Sequence, residues 1–196
     1  MGSAQEKSIQ SNSDIFERRL VARFRTGDPD ALGTLFEIYV DRVFAFARHI
    51  LGNKEDAEEV TSEVFLRAFE RAATLRDEGS FRGWLFRIAR NLCLDRLRQP
   101  RLLWLETEDG EASSDGGRAS NRMESQIVIK QALAELTEEH RVVLILCDME
   151  QWDAKEVAEW LGKSLPATKS MLYRARKSLR ERLAGAWGEE NETRVL

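Results

Sequence analysis

Apolar residues in this chain recur at spacings of three and four and rarely alternate with polar ones, so the pattern predicts helices and almost no strand. Asp14 followed by Glu17 predicts a capping box that opens a helix to about Arg25. Asp28-Pro29 supplies an N-cap with proline at the first helical position. The helix it opens carries Leu32, Leu35, Phe36, Tyr39, Val43, Phe44, Ala47 and Ile50, and stops at Gly52. Asn53 caps the next helix, whose apolar face is Val60, Val64, Phe65, Ala68 and Phe69. After a loop from Leu75 to Ser80, a fourth helix runs from Phe81 to about Arg98, with Trp84, Leu85, Ile88 and Leu92 as its buried stripe. Pro100 ends it.

The periodicity then breaks. ETEDGEASSDGGRASNR is acidic, rich in Gly and Ser, and nearly devoid of apolar residues. Such a segment buries too little surface to offset the entropy of ordering and reads as a flexible tether. Helical spacing returns at Met123 and runs to Leu136, and Thr137 caps a further helix carrying Val142, Val143, Ile145 and Leu146. The fold class expected is all-α, with two small helical domains joined by a linker. The expected boundaries are a disordered N-terminus at 1–13, a first domain at 14–100, the linker at 101–122, a second domain at 123–184 and a tail at 185–196. Trp187 in the tail is expected to pack back on the second domain, with contact to a regulator as the alternative.

The most informative stretch is LPATKSMLYRARKSLRERL, residues 165 to 183. Leu165, Thr168, Leu172, Ala175, Leu179 and Leu183 form one helical stripe. Lys169, Tyr173, Arg176 and Arg180 form a second, flanked by Arg174 and Lys177. Upstream lies a short helix, Asp153 to Leu161, with Glu156 completing a capping box and Gly162 closing it. A short helix, a tight turn and a basic amphipathic helix make a helix-turn-helix, which offers cations and small polar groups to a DNA groove.

Charge sharpens that reading. The chain of 196 residues is 42% hydrophobic and 33% charged, with a net charge of −4. Yet Phe81 to Arg101 holds six arginines and one acid, a net +5, and Lys163 to Arg182 holds seven bases and one acid, a net +6. Lys54 to Glu63 is a counter-island of five acids and one base, a net −4. Two local basic surfaces suit phosphate, and the first has Phe81, Trp84 and Phe86 close by, as single-stranded DNA would favour. An acidic protein that reads DNA needs help to stay on it. Cys93 and Cys147 lie in apolar helical patterns and read as buried free thiols. His49 and His140 are the only histidines, and neither has neighbours at metal-ligand or triad spacing. No catalytic residue, metal or cofactor is therefore expected, and no enzyme. The chain shows neither a membrane-length apolar run nor a signal peptide, so a cytoplasmic protein with no membrane insertion is expected. A helix-turn-helix regulator with a sensing domain is the competing reading, but the first domain carries no ligand-pocket or phosphoacceptor pattern, and no helix is left over for a dimer.

EDAEEVTSEVFLRAFERA and FRGWLFRIARNLCLDRLR together resemble region 2 of the extracytoplasmic-function sigma factors of bacterial RNA polymerase. The stretch from LAELTEEHRVVLIL through EVAEWLGKSLPATKSMLYRARKSLRERL resembles their region 4. The resemblance covers about Asp14 to Leu183 and implies core RNA polymerase and promoter DNA as partners, often with an anti-sigma factor, and no need for homo-oligomers. It implies polymerase binding by Asp56, Glu59, Glu63, Phe65 and Arg67. It implies reading of the minus-ten element by Leu75, Arg76, Asp77 and Ser80 in the loop, and by Arg87, Arg90, Asn91, Arg96 and Arg98 on the helix, with Asn91 facing a flipped base. It implies reading of the minus-thirty-five element by Ser164, Ala167, Lys169, Ser170, Tyr173, Arg174, Arg176 and Lys177. The acidic linker resembles the segment that threads toward the polymerase active-site channel. Leu75 stands where relatives commonly have an aromatic. Pro166 to Met171 departs from the usual Gly-Thr-Val-Lys-Ser-Arg run, so the promoter is expected to differ.

Overall fold

The computed structural model describes residues 15–76, 81–98, 128–129 and 131–193, with side chains as far as residue 185. Every regular element among them is helical, and they fall into two units that divide after Arg98. The all-α, two-domain expectation holds. The N-terminal residues to 14, the linker at 101–122, the start of the Met123 helix and the side chain of Trp187 lie outside the described residues.

In the first unit, α1 (15–25), α2 (Pro29–Leu51), α3 (Lys54–Glu70) and α4 (Phe81–Arg98) pack together, with a 3-10 turn at Ala72–Thr74 after α3. The punctuation expected from sequence is present. Asp28 Oδ1 accepts from the N–H groups of Asp30 (3.0 Å) and Ala31 (3.3 Å), while its Oδ2 accepts from Arg23 Nε at 2.7 Å. The Arg23 hydrogen bond, joined by that of the Ala31 amide, holds the Asp28 carboxyl below its ordinary pKa. Gly52 adopts φ 81°, a left-handed conformation that suits glycine, and its N–H donates to the Arg48 carbonyl. Asn53 Oδ1 accepts from the Asp56 amide at 2.8 Å.

An aromatic cluster fastens three helices. Phe81 of α4 meets Phe24 of α1 at 5.6 Å and Tyr39 of α2 at 5.4 Å between ring centroids, both edge-on. The Tyr39 hydroxyl donates to Glu17 at 2.7 Å. The core of α2 differs from the sequence reading in three places. Phe46, edge-on to Phe86 at 5.3 Å, is buried where Phe44 was expected, Leu32 is only half-buried, and Phe36 is exposed. On α3, Phe69 is exposed and joins Leu66 at the surface, and on α4 Trp84 is half-buried.

In the second unit, α5 (131–134) and α6 (Glu138–Leu144) lead into a π-helical turn at Ile145–Met149, then α7 (Ala154–Leu161) and α8 (Leu165–Thr193). Thr137 caps α6, and the Asp153/Glu156 capping box opens α7. Gly162, at φ 66°, closes α7 and turns the chain toward α8. Trp152 and Trp160 pack edge-on at 6.0 Å. α8 continues past Leu183 to Thr193, well beyond the helix expected from the apolar stripe.

Thr168 is fully buried in this unit, and its Oγ1 has no hydrogen-bond partner among the described residues. An unsatisfied buried hydroxyl costs about 1–3 kcal/mol. Thr168→Val keeps the shape and removes the hydroxyl, so it is expected to raise the thermal midpoint of the second domain by a few degrees. A fall in the midpoint, read by circular dichroism, would mean that the hydroxyl has a partner in solution.

Candidate nucleic-acid interface

The amphipathic logic of α8 separates its two stripes. Thr168, Leu172 and Ala175 are buried and Leu165, Leu179 and Leu183 are half-buried. Lys169, Ser170, Tyr173, Arg174, Arg176, Lys177 and Arg180 are exposed, with Tyr173 at 70%. Ser164 opens the helix, its Oγ accepting from the Ala167 amide at 3.3 Å, and Ala167 is exposed beside it. Met171 is buried, so it extends the packed face.

The structure redistributes the charge counted from sequence. Arg176 donates from Nε to Asp148 Oδ2 at 3.0 Å and from a second nitrogen to Oδ1, a two-point clasp. That hydrogen bonding lifts the Arg176 pKa further above its ordinary value. Lys163 pairs with Glu139 at 3.1 Å, Arg182 with Glu135 at 2.9 Å, and Lys177 reaches Glu181 at 3.8 Å. Lys169, Arg174 and Arg180 have no carboxylate partner among the described residues. Arg174 lies back along its own helix, donating to the Ser170 carbonyl (3.4 Å) and Oγ (3.0 Å).

On α4, Leu85, Ile88, Ala89, Leu92 and Cys93 face the core, which leaves Arg87, Asn91, Asp95 and Arg98 as an exposed stripe. Asn91 thus stands among arginines on an open face. Arg98 reaches Asp95 at 3.4 Å, and Arg90 is half-buried. Arg96, grouped with the minus-ten contacts, also has carboxylate partners. Its Nε donates to Asp56 Oδ1 at 2.8 Å and a second nitrogen meets Glu59, so it bridges α4 to the acidic helix α3. One arginine grouped with DNA and two acids grouped with polymerase therefore hold each other. Leu75 is 2% exposed and lies in the core, while Arg76 beside it is exposed. Asp77 and Ser80 lie outside the described residues.

The polymerase candidates divide similarly. Glu63 and Arg67 pair with each other at 2.7 Å on the surface of α3. Phe65 is buried, its ring 4.7 Å from that of Phe36. Leu66 (58% exposed) and Phe69 (47%) are what α3 presents instead. Leu66 could have been found on a helical wheel, because it falls outside the stripe of Val60, Val64 and Ala68. Phe69 could not, since it continues the spacing of Phe65. Among the described residues no group of three or more His, Cys, Asp or Glu is placed to hold a metal ion. Burial lifts the Cys93 thiol to about 12, and burial followed by the Asp148 charge lifts Cys147 to about 11, so neither is a thiolate at neutral pH. Cys147 is half-buried where burial was expected.

Comparison with known proteins assigns both units. The sigma-70 region 2 profile matches residues 35–102, and the sigma-70 region 4 profile matches residues 126–179. The ECF RNA polymerase sigma factor SigM of Mycobacterium tuberculosis (strain Erdman) is 30% identical over 161 residues, covering 82% of this chain and 81% of SigM. The chain belongs to the ECF sigma factor family. SigE of Mycolicibacterium smegmatis, also an ECF RNA polymerase sigma factor, is 33% identical over 168 residues. That alignment covers 81% of this chain but 65% of SigE, so this ECF sigma factor spans about two thirds of that relative's length. The fold agrees with the crystallised sigma factor RpoE of Bartonella quintana, which was solved in complex with the anti-sigma factor NepR. It superimposes with a TM-score of 0.58 at 18% identity, over 77% of this chain and 95% of RpoE. Within the family frame, α2, α3 and α4 fall in region 2 and the α7–α8 helix-turn-helix falls in region 4.

Proposed function

We propose that the chain is an alternative sigma factor: it binds core RNA polymerase and directs promoter recognition, DNA melting and transcription initiation. The observation that carries this reading is the pairing of two matched regions in order, each with an exposed basic and polar stripe on one helix. Region 2 takes the minus-ten element. Arg76, Asp77 and Ser80 serve in the loop, and Arg87, Arg90, Asn91 and Arg98 on α4, with the Asn91 amide able to donate to and accept from a base edge. Leu75 and Arg96 belong to the same set, Leu75 from the core and Arg96 while it also pairs α4 with α3. Region 4 lays α8 in the major groove of the minus-thirty-five element, with Ser164, Ala167, Lys169, Ser170, Tyr173, Arg174, Arg176 and Lys177 facing DNA.

Polymerase docks on α3 through Asp56, Glu59, Glu63 and Arg67, with Leu66 and Phe69 as apolar contacts and Phe65 packed behind them. Polymerase supplies the affinity that an acidic chain lacks, and it does the chemistry, so the chain itself is no enzyme and works in the cytoplasm. Among the described residues no helix is long and apolar enough to cross a membrane. The likeness to a sigma factor solved with its anti-sigma factor supports control by such a partner, which would cover the surface that polymerase uses.

The test is reconstitution. The purified chain is mixed with bacterial core RNA polymerase and assayed for co-elution, then for transcripts from genomic fragments of its source organism. A stable complex that starts at specific sites is the expected result. A clean chain that ignores polymerase yet shifts duplex DNA alone would overturn it in favour of a stand-alone helix-turn-helix regulator.

A further inference from the structure

The turn between α6 and α7 departs from regular helix geometry in two ways. α6 does not end in an ordinary cap but widens into the π-helical turn Ile145–Met149. The Glu150 amide donates to the Ile145 carbonyl at 2.9 Å, and the Trp152 amide to the Leu146 carbonyl at 2.9 Å. Gln151 then sits at φ 56°, the one positive φ outside glycine among the described residues, and its side-chain amide donates to the Asp148 carbonyl at 2.7 Å. A wide turn rotates each following side chain relative to an α-helical path, and such turns gather at functional sites. A left-handed residue other than glycine costs on the order of 1–3 kcal/mol and persists where surrounding contacts fix it.

What this geometry delivers is the Asp148 carboxylate. It meets the guanidinium of Arg176, 28 residues away in sequence, with both oxygens. Arg176 belongs to the exposed stripe with Lys169, Tyr173 and Arg180. Lys169, Arg174 and Arg180 carry their charge without a carboxylate partner among the described residues, whereas Arg176 is neutralised on the surface that faces DNA. As a stability device the pair would be weak, because Arg176 is 53% and Asp148 32% exposed in the side chain and exposed pairs contribute about 0–1 kcal/mol.

The geometry points to Asp148 as a specificity-setting residue of the DNA-reading helix, one that competes with phosphate for Arg176. The inference rests on the reading of α8 as the minus-thirty-five reader. A DNA backbone met in any register offers a phosphate that must displace a two-point carboxylate clasp, so Arg176 adds little to indiscriminate binding. A docked promoter that places a planar two-point acceptor, such as a guanine edge or a well-oriented phosphate, offers a fair exchange. Asp148 thereby keeps one cation out of the sequence-independent term and leaves it for the matched site. It acts on DNA through Arg176 and is a positioning residue.

The experiment uses the complex of the full chain with core RNA polymerase and a fluorescent duplex of scrambled sequence, with affinity measured by anisotropy across a salt series. Asp148→Asn keeps the size of the side chain and removes its charge. It is expected to tighten binding several-fold at low salt and to steepen the slope of log K against log salt by about 0.9, the signature of one added phosphate contact. The slope of the double variant Asp148→Asn/Arg176→Gln is expected to return to that of the unaltered chain. Arg176→Lys supplies the same test from the other side, because it keeps the charge but cannot make the two-point clasp, and it too should steepen the slope. An unmoved slope in both single variants, or no binding by any form, overturns the inference. So does a steeper slope that survives loss of Arg176, since that would be the general effect of removing a negative charge. Transcription by the unaltered chain with core polymerase is measured alongside. Its absence counts against the sigma reading, whereas normal transcription with an unmoved slope counts against Asp148 alone.

Discussion

Phe81→Ala is expected to destabilise the first domain by about 3–5 kcal/mol, as truncation of a buried aromatic does when its surroundings cannot collapse. Phe81 is 1% exposed, and its ring touches those of Phe24 and Tyr39, so one side chain joins α4 to α1 and α2. Removal leaves a void lined by two large rings that are themselves held in place, Tyr39 through its hydroxyl bond to Glu17. Domains of this size have about 5–15 kcal/mol in total, so the variant should lose a large share of its stability. On the proposed reading the loss also reaches function, because Phe81 is the first residue of the helix that carries Arg87, Asn91 and Arg98. Urea unfolding followed through Trp84, whose ring lies 6.0 Å from that of Phe81, reports the change once the other four tryptophans are replaced by phenylalanine in both the variant and its reference. Phe69→Ala, on an exposed ring of α3, is the contrast and should cost less than about 1 kcal/mol. Equal costs at the two positions would mean that the cluster is not what fastens α4.

The elements were legible in the sequence because their signals are local. Asp28-Pro29, Asn53, Thr137 and the Asp153/Glu156 box each cap within three residues, and Gly52 and Gly162 close α2 and α7 in left-handed geometry. What the sequence did not reveal is set by other helices. Phe44 and Phe46 are equally apolar, and the choice of Phe46 for the core is made by Phe86 of α4. Leu75 reads as a loop residue until the packing around it shows it buried. The π-helical turn has no signature that apolar spacing could register. The basic islands were visible as counts, but a count does not show which cations are already held. Arg96 is taken by Asp56 and Glu59, and Arg176 by Asp148, and those partners are 40 and 28 residues away in sequence for the Asp56 and Asp148 bonds.

If α8 reads the minus-thirty-five element as proposed, the same distinction makes Arg174 a strong lever on promoter reading. Among the described residues its guanidinium donates only within its own helix, to the carbonyl and hydroxyl of Ser170, so its charge meets no carboxylate there beside Lys169. Arg174→Glu removes one cation and installs an anion where phosphates or base edges approach. Loss of one such contact costs about 1–3 kcal/mol, and the reversed charge adds repulsion. Transcription from a promoter that depends on its minus-thirty-five element should therefore fall by about two orders of magnitude. The fold should be nearly unaffected, because the position is exposed and glutamate is a good helix former. Co-elution with core polymerase should persist, because the surface proposed to bind polymerase lies on α3 in the other domain. Run-off transcription and co-elution, measured on the same preparation, separate these effects. Transcription that falls only as far as polymerase binding falls would mean a damaged protein. Undiminished transcription from that promoter would mean that α8 does not read it.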